Sequence, residues 1–278
     1  LTYCAYKKNG QTAPGQIDIE QFLSLYRVKT ITDKTKLYGL IGRDISHSLS
    51  AYYYNMNFKS LGLNCVYIPI DTISINNLRD FIRTLGFSGF SITSPYKNKL
   101  NKIITNYDKL TECLKVVNTI VIKGNKVYAY NTDLTAFIKI IGRIKKTKKI
   151  NNVLVLGSGS MAKVVIYALK NIFYIKNVYT YCRSKEVPLN IIFSQKYDLL
   201  INASKFGMIN NDNSFYDKVL QLISEDTIVI ELNYKIIDTP IISTAKRYCC
   251  TYYTGIDFFK EQFKEQFKLL MRKPPIFT

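Results

Sequence analysis

Apolar and polar positions along the first half of the chain follow a repeating order of strand and helix. Short apolar runs predict three buried strands, at 37–41, 65–70 and 90–93. The stretches between them show helical spacing at 50–61 and 75–85, and residues 117–130 predict a hairpin that turns at Gly124 and Asn125. Strands that alternate with helices are typical of a largely parallel sheet, so the pattern predicts an open α/β fold.

The same order begins again in the second half of the chain. An apolar run at 153–156 predicts a buried strand, which a glycine-containing loop and a helical stretch to Asn171 follow. Further strands are predicted at 178–182, 199–202 and 227–232, and an amphipathic helix at 258–271. The dense basic run from Arg143 to Lys149 predicts a solvated linker before this second α/β unit.

Composition and charge narrow the classes of function. None of the apolar runs approaches the roughly 20 residues of a membrane helix, and no secretory signal opens the chain. Six cysteines without a C-x-x-C pair, together with one histidine, predict a cytoplasmic protein with no metal site. The net charge of +19 raises nucleic-acid binding as a hypothesis, but the lysines are scattered along the chain, which makes this the weakest alternative.

The loop after the strand at 153–156 has the chemistry of a dinucleotide site. Gly157, Gly159 and Ala162 form a G-x-G-x-x-A pattern between a predicted strand and a predicted helix. The first glycine permits a tight turn, the second lets backbone approach a pyrophosphate, and the small third residue lets the helix pack closely. The candidate cofactor-binding residues are Gly157, Ser158, Gly159, Ser160, Met161 and Ala162. The alternative is an ordinary glycine turn.

The end of the next predicted strand favours NADP over NAD. NAD-binding units usually place an acidic residue there to accept hydrogen bonds from the ribose, and this chain has Arg183, Ser184 and Lys185 instead. A guanidinium, a hydroxyl and an ammonium are groups that bind a 2′-phosphate. The alternative is an exposed basic turn in a basic protein.

Three polar clusters follow predicted strands or precede predicted helices in the first half, at 46–50, 93–97 and 131–133. In open α/β sheets, ligands bind in the crevice beyond the carboxyl ends of the strands, so we expect the clusters to converge there. Each alone has a simpler explanation. Ser50 and the 131–133 cluster would cap helices, and 93–95 would form a turn.

Taken in order, these segments resemble the shikimate dehydrogenase family. The resembling segments are GRDISHSLSAYYYN at 42–55, GFSITSPYK at 89–97, VNTI at 117–120, NTD at 131–133, the glycine loop, ELNYKIIDT at 231–239 and GIDFFKEQFKEQF at 255–267. The resemblance implies a two-domain α/β fold whose C-terminal helix returns to the first domain. Residues 37–133 with 256–278 would form an open α/β substrate domain, and residues 134–255 a Rossmann-like NADP-binding domain.

The resemblance implies reversible, NADP-dependent reduction of 3-dehydroshikimate to shikimate, with Lys97 and Asp133 as the catalytic pair. Reducing a carbonyl builds negative charge on its oxygen, which an ammonium stabilises while a carboxylate orients the lysine. Which of the two groups delivers the proton stays open. The implied substrate contacts are Ser48 and Ser50 to the carboxylate, with Thr93, Asn118, Tyr234 and Gln262 to the carboxylate or ring hydroxyls. Leu232 and Gly255 join the implied cofactor contacts.

The chain also departs from the family pattern. The departures are Ala51, Tyr54 in place of a usual histidine, Lys115, Val116, Cys182, Lys205, Glu231 in place of a usual aspartate, and Ile236. They leave two alternatives to a shikimate dehydrogenase. One is a quinate or broad-specificity quinate/shikimate dehydrogenase, and the other is a drifted, non-catalytic nucleotide-binding relative.

The first 36 residues lie outside that resemblance. Residues 1–5 and 12–16, within 1–28, resemble the end of type I dehydroquinate dehydratase, which implies fusion to or association with such a domain in a longer, bifunctional polypeptide. A complete barrel of that type needs about 200 residues, so this chain does not itself contain one. The alternative is a simple N-terminal extension with a short helix at 18–26. For the whole chain, a monomer and a homodimer both remain open.

Overall fold

The computed structural model describes Ala5 and residues 16–46, 48–182, 189–207, 214–273 and 275–276. The chain divides into two compact units, Leu1–Tyr130 with Gln266–Thr278, and Asn131–Glu265. Each unit contains one sheet with helices, so the predicted two-part α/β fold is confirmed. The first unit includes the C-terminal helix only from Gln266 onward, whereas the sequence predicted residues 256–278 for it. Across the described ranges, every helix is too short or too polar to cross a bilayer.

The first unit holds the elements from the N-terminus to Tyr130. In chain order they are α1 (Ile19–Ser24), a 3-10 turn (Val28–Thr30), β1 (Lys36–Gly42), α2 (Ser50–Ser60), β2 (Cys65–Asp71), α3 (Leu78–Leu85), β3 (Phe87–Ile92), β4 (Asn106–Tyr107), α4 (Lys109–Leu114), β5 (Thr119–Lys123) and β6 (Lys126–Tyr130). The predicted strands and helices all occur, whereas β4 and α4 were not predicted. Both are too short to show a period.

The sheet of the first unit is mixed, with the order β2-β1-β3-β5-β6-β4 among the described strands. Strands β2, β1 and β3 are parallel, whereas β5 is antiparallel to β3 and to β6. The two-residue turn at Gly124, where φ is +57°, forces this reversal because such a tight turn joins only antiparallel neighbours. The hairpin predicted over 117–130 is therefore confirmed, and it adds an antiparallel part to the predicted open α/β sheet.

The second unit holds the elements from Asn131 onward. In chain order they are α5 (Thr132–Thr147), β7 (Asn152–Leu156), α6 (Ser160–Tyr167), a π-helical turn (Ala168–Ile172), β8 (Asn177–Tyr181), α7 (Leu189–Phe193), β9 (Leu199–Asn202), α8 (Ser214–Leu220), β10 (Ile228–Glu231), α9 (Pro240–Arg247), β11 (Tyr252–Tyr253) and α10 (Gly255–Met271). Its sheet is parallel throughout the described strands, in the order β11-β10-β9-β7-β8. Strands β9 and β10 are fully buried, which explains their continuous apolar runs.

The basic run at 143–149 differs from the predicted linker, because α5 continues to Thr147. Ile140 and Ile144, four positions apart, are buried on one face of the helix, while Arg143 and Lys145 are exposed on the other. This apolar spacing sustains the helix through residues whose charge alone indicated a linker. The predicted solvation of the basic side chains is correct, and only their backbone state is not.

Helix α10 begins three residues before the predicted start. The amide of Thr254 donates to Asp257 Oδ2 at 2.8 Å, and the amide of Asp257 donates to Thr254 Oγ1 at 3.3 Å. These reciprocal bonds satisfy backbone donors at the helix start, which fixes the first turn. Toward the other end, Phe263 and Phe267 are fully buried, four residues apart. The helix is therefore held at its start by hydrogen bonds and along one face by apolar burial.

Packing of the last turn of α10 on the first sheet gives a testable prediction. A Cβ added to Gly89 would lie 2.5 Å from Leu270 Cδ2 and 2.7 Å from the Ile120 carbonyl oxygen. We expect Gly89→Ala to lower the free energy of unfolding by about 1–3 kcal/mol, since backbone on β5 cannot give way easily. Gly142→Ala is the matched control, because Gly142 faces open space in α5 and should gain about 0.5–1 kcal/mol. Urea unfolding of both variants measures this, and equal effects would contradict it.

Candidate functional site

The loops that follow β1 and β3, which carry the polar clusters at 46–50 and 93–97, begin side by side at one edge of the first sheet. The amide of Thr93, just after β3, donates to the Ile41 carbonyl at 2.9 Å, and that of Arg43, just after β1, donates to the Ser94 carbonyl at 3.1 Å. The loops that leave these two parallel strands are thus hydrogen-bonded side by side. Asn118, just before β5, reaches the same edge, since its carbonyl accepts from the Ile92 amide at 2.8 Å.

Ser48 and Ser50 form a hydroxyl pair at the start of α2. The Ser48 hydroxyl donates to Ser50 Oγ at 3.2 Å and accepts from the Ser50 amide at 3.3 Å. Ser50 is the first helical residue and is buried, and the cap position is Leu49, so the predicted capping role of Ser50 is wrong. Two hydroxyls beside the positive end of an eleven-residue helix suit a carboxylate ligand.

Lys97 lies on a loop that is fixed on both sides. Its carbonyl accepts from the Val117 amide at 2.7 Å, and the Tyr96 amide before it donates to the Thr93 carbonyl at 3.0 Å. The Tyr96 ring is buried, and its hydroxyl donates to the Thr72 carbonyl at 2.6 Å. The Lys97 side chain is half-buried. It extends from backbone that these hydrogen bonds hold near Thr93 and Asn118.

Asp133 is buried in the first turn of α5, in the second unit. The cap of this helix is Asn131, whose Oδ1 accepts from the Leu134 amide at 2.8 Å. The capping role that the sequence allowed for the whole 131–133 cluster therefore belongs to Asn131 and not to Asp133. A carboxylate in the first turn of a helix is favoured by the helix dipole.

Helix α10 brings Gln262 to this first turn. Gln262 Nε2 donates to Thr132 Oγ1 at 2.8 Å, directly before Asp133 in the chain. Two ion pairs hold α10 along α5, Lys139 with Glu265 at 2.5 Å and Arg143 with Glu261 at 3.1 Å. They are part-exposed, so we assign them an orienting role and little net stability.

Tyr234, on the loop after β10, joins the same group of residues. Its ring lies 5.3 Å from that of Phe259 on α10, and Phe259 stacks at 6.0 Å on Phe263, next to Gln262. Within the second unit, α10 therefore links Tyr234, Gln262 and the first turn of α5 that bears Asp133. The other implied substrate residues, namely Ser48, Ser50, Thr93, Lys97 and Asn118, lie in the first unit.

The two glycines of the loop after β7 differ in what they allow. Gly157 has φ of +121°, and a Cβ there would lie 2.7 Å from the Ala203 carbonyl oxygen. Gly159 has φ of −72°, and nothing lies within 4 Å of an added Cβ. Ala162 is fully buried, as expected for close packing of α6. Gly157 is thus required by the fold, while Gly159 leaves open space at the amino end of α6, where a pyrophosphate would fit.

Of the remaining implied cofactor residues, the structure describes Leu232 and Gly255. The Leu232 amide donates to the Asn202 carbonyl at 3.1 Å, which places Leu232 at the carboxyl end of the second sheet. A Cβ on Gly255 would lie 2.1 Å from the Asn233 carbonyl oxygen, so this glycine permits a close backbone approach at the start of α10. The predicted phosphate-binding residues Arg183, Ser184 and Lys185 lie outside the described residues.

A buried carboxylate network, which sequence reasoning did not identify, crosses the same sheet edge. Glu231 is fully buried, and its Oε2 accepts from Asn202 Nδ2 at 2.8 Å and Thr239 Oγ1 at 3.1 Å. Its Oε1 accepts from the amide of Asn233 at 2.8 Å and from Asn233 Nδ2 at 2.9 Å. The sequence signal that could have identified this network is a polar residue at the end of each of two apolar strands. In the structure these two residues, Asn202 and Glu231, are paired in register.

This network ties together the loops that follow β9 and β10. Asn202 Oδ1 also accepts from the hydroxyl of Ser204 at 2.7 Å, and Asn233 Nδ2 donates to the Ser204 carbonyl at 2.5 Å. Burial raises the pKa of Glu231 from 4.5 to about 7, opposed by the hydrogen bonds from Asn233, Asn202 and Thr239. The described residues contain no cluster of three or more acidic, histidine or cysteine side chains able to hold a metal.

The raised pKa of Glu231 predicts a pH-dependent stability. A carboxyl with a higher pKa in the folded chain stabilises the fold fully below pH 4.5, and this contribution is lost as the pH rises through about 7. Gln at this position does not titrate. We therefore expect the free energy of unfolding of Glu231→Gln, relative to the parent, to rise by about 3 kcal/mol between pH 5 and pH 8. Denaturant titrations across this range measure the difference, and a flat difference would contradict it.

Comparison with known proteins gives the same assignment for both halves of the chain. Residues 40–120 match the shikimate dehydrogenase substrate binding domain. The NADP(+) shikimate dehydrogenase of Staphylococcus aureus is 30% identical over 252 residues, covering 85% of this chain and 92% of the relative. A shikimate dehydrogenase solved in complex with NADP+ superposes with a TM-score of 0.74 at 25% identity, covering 88% of this chain and 93% of that one.

A quinate dehydrogenase from Corynebacterium glutamicum, solved in complex with NAD, shares the fold. Its TM-score is also 0.74, at 22% identity, and the match covers 87% of this chain and 95% of that one. Fold similarity therefore does not separate the two substrates. The identity to the Staphylococcus aureus enzyme over most of both chains does decide the broader assignment. This chain belongs to the shikimate dehydrogenase family.

Proposed function

We propose that the chain is an NADP-dependent oxidoreductase that reversibly reduces 3-dehydroshikimate to shikimate. The observation that carries the proposal is the sheet edge of the first unit, where the Ser48–Ser50 pair lies on the loop after β1 and Lys97 on the loop after β3. A hydroxyl pair at a helix start and a lysine on the neighbouring loop suit a ligand with a carboxylate and a reacting oxygen. Relatives named NADP(+) shikimate dehydrogenase support the same substrate.

In this proposal, the substrate is bound by its two ends. Ser48 and Ser50 hold the carboxylate through their hydroxyls. The ring hydroxyls are bound by four polar side chains, Thr93, Asn118, Tyr234 and Gln262. Neutral hydroxyl and amide groups suit this task because they bind alcohols without the desolvation cost of a charge.

Lys97 and Asp133 act on the reacting oxygen. NADPH, when bound, supplies the hydride. As negative charge builds on the carbonyl oxygen, the Lys97 ammonium stabilises it and shares in its protonation. Asp133, whose carboxylate is buried at a helix start, orients the lysine and keeps the local charge balanced. The half-buried stem and fixed backbone of Lys97 limit the freedom that must be lost on binding.

The cofactor is assigned to the loop after β7 and the end of β8. The backbone from Gly157 to Ala162, with the open space at Gly159, is suited to the pyrophosphate. We assign the 2′-phosphate to Arg183, Ser184 and Lys185, and the nicotinamide end to the loops that bear Leu232 and Gly255. Comparing turnover with NADP and with NAD tests the phosphate assignment.

Quinate is the second candidate substrate, favoured by the fold of the quinate dehydrogenase neighbour. Quinate has an additional hydroxyl on the carbon that bears the carboxylate, and so places it near the Ser48–Ser50 pair. Ser50 and Thr93 carry hydroxyl side chains, which by resemblance to the family favours shikimate over quinate. Shikimate is therefore the preferred substrate, and the ratio of kcat/KM for the two compounds decides between them.

The N-terminal segment carries a separate proposal. We propose that residues 1–28 are the end of a dehydroquinate dehydratase domain in a bifunctional polypeptide. Within the described part, Ala5 makes an isolated bridge with Asp18, its amide donating to the Ile17 carbonyl at 2.9 Å. The full-length transcript tests the proposal, since it must encode a Schiff-base lysine upstream of Leu1.

Removing either member of the pair should abolish turnover without unfolding the chain. We expect Lys97→Ala and Asp133→Asn to lower kcat for NADP-dependent shikimate oxidation by about 10²–10⁴-fold, because each loses transition-state stabilisation. Lys99→Ala is the matched control, since it removes the same charge from an exposed side chain on the same loop. Production of NADPH at 340 nm follows the reaction. Absence of activity in the parent would contradict the proposed function.

The two loop glycines should separate folding from cofactor binding. We expect Gly159→Ala to fold with unchanged stability but to raise the KM for NADP about tenfold, since a methyl group would fill space needed by the pyrophosphate. Gly157→Ala should instead lower the thermal midpoint, because the Ala203 backbone blocks it. The KM for shikimate is the internal control. Equal loss of stability in both variants would contradict the assignment.

A further inference from the structure

A fully buried polar network lies beneath Asn118 in the first unit. Its centre is Gln266, on the last turns of α10, which is 3% exposed. The other members are Tyr54 on α2, Tyr67 on β2, Ser91 on β3, and Asn118 and Thr119 at the start of β5. Buried polar groups are costly unless hydrogen-bonded, so a network of this size has a defined arrangement of donors and acceptors.

One contact fixes the orientation of the Gln266 amide. The Asn118 backbone carbonyl, which can only accept, lies 3.1 Å from Gln266 Nε2. An amide turned the other way would bring two carbonyl oxygens together, so the nitrogen must face Asn118. The oxygen Oε1 therefore faces the opposite side, where it accepts from the hydroxyls of Ser91 at 2.6 Å and Tyr54 at 3.1 Å.

The donors on that side are themselves directed toward Gln266. The Tyr67 hydroxyl donates to Ser91 Oγ at 2.5 Å, which leaves the Ser91 proton for Gln266. Tyr54 stacks on Tyr67 with ring centroids 4.1 Å apart, and burial raises the pKa of the Tyr54 hydroxyl well above its ordinary value. Tyr54 stays protonated and remains a donor. This residue, which replaces a usual histidine, thereby fits the orientation that the Asn118 carbonyl imposes.

Thr119 connects the amide of Gln266 to the side chain of Asn118 through two hydrogen bonds, and so sets the orientation of the Asn118 amide. Gln266 Nε2 donates to Thr119 Oγ1 at 2.7 Å, so the single hydroxyl proton of Thr119 is available for another acceptor. That acceptor is Asn118 Oδ1, at 2.9 Å. The oxygen end of the Asn118 amide is thus held on Thr119, and the NH₂ end points the other way.

We propose that Gln266, acting through Thr119, is a positioning residue that makes Asn118 turn the NH₂ end of its amide, and not the oxygen end, toward an acceptor oxygen of the substrate. The inference rests on the proposed function, in which Asn118 binds a hydroxyl group on the substrate ring. It adds a direction to that contact. The substrate oxygen at this position accepts a hydrogen bond, and an inverted Asn118 amide would set two acceptors against each other.

The test compares two substitutions of Thr119. Thr119→Val keeps the shape but removes the hydroxyl, whereas Thr119→Ser keeps the hydroxyl and removes a methyl group. We expect Thr119→Val to raise the KM for shikimate about fivefold to tenfold with little change in kcat, since a contact made equally in the ground and transition states is weakened. Thr119→Ser should stay within about twofold of the parent. The KM for NADP should not move in either variant.

Gln266→Met provides a second variant, because it removes the polar amide at similar volume. It should reproduce the rise in the KM for shikimate, and it keeps the inference testable where Thr119→Val does not fold. Thermal midpoints of all variants are measured alongside. Equal KM values for shikimate in the valine and serine variants, or KM changes that follow the thermal midpoint alone, would overturn the inference while leaving the proposed function intact. A parent chain that does not turn over shikimate would overturn both.

Discussion

The constraint on which this structure depends is the need to satisfy polar groups where buried apolar strands end. Strands β9 and β10 are buried along their whole length and close with Asn202 and Glu231, which are also buried. Neither side chain reaches solvent there, so both must find partners inside the protein. Asn202 and Glu231 hydrogen-bond to each other and to residues of the loops that follow the two strands. The requirement for hydrogen bonds thereby shapes the loops assigned to the cofactor.

The same constraint operates at the carboxyl edge of the first sheet. Thr93 and Asn118 lie at this edge, and their backbone groups pair with Ile41 and Ile92 on the neighbouring strands. Beneath them, Gln266 hydrogen-bonds to the buried hydroxyls of Ser91 and Thr119. Hydrogen bonds within the protein therefore define the arrangement of backbone and side chains at this edge.

Helix α10 serves both units with different chemistry along its length. Its Glu261 and Glu265 pair with basic residues of α5 in the second unit, whereas Gln266 and Phe267 are buried in the first unit. The amphipathic pattern predicted the helix from 258 to 271 but gave no sign of this division. Period alone reports which face is apolar, and it does not report what that face meets.

Local pattern predicted the main strands and helices because burial imposes a period on neighbouring residues. It did not predict the short strands β4 and β11 or the short helices α4, α7, α8 and α9. At Arg143–Lys149, charge suggested a linker, whereas buried isoleucines sustain a helix. Lys97 and Asp133 were predicted as a catalytic pair only through the resemblance to the shikimate dehydrogenase family. The Gln266 network was out of reach, since Gln266 and Thr119 are 147 positions apart and their pairing depends on the completed fold.

The two glycines of the loop after β7 have an evolutionary consequence. Gly157 is needed for the chain to fold, so it would persist even in a lineage that had lost all activity. Gly159 has an ordinary backbone conformation and open space around it, so folding alone would let it mutate freely. A chain under no selection for nucleotide binding would have had no reason to keep it. Selection on ligand binding, and not on folding, is therefore the pressure that would hold a glycine at position 159.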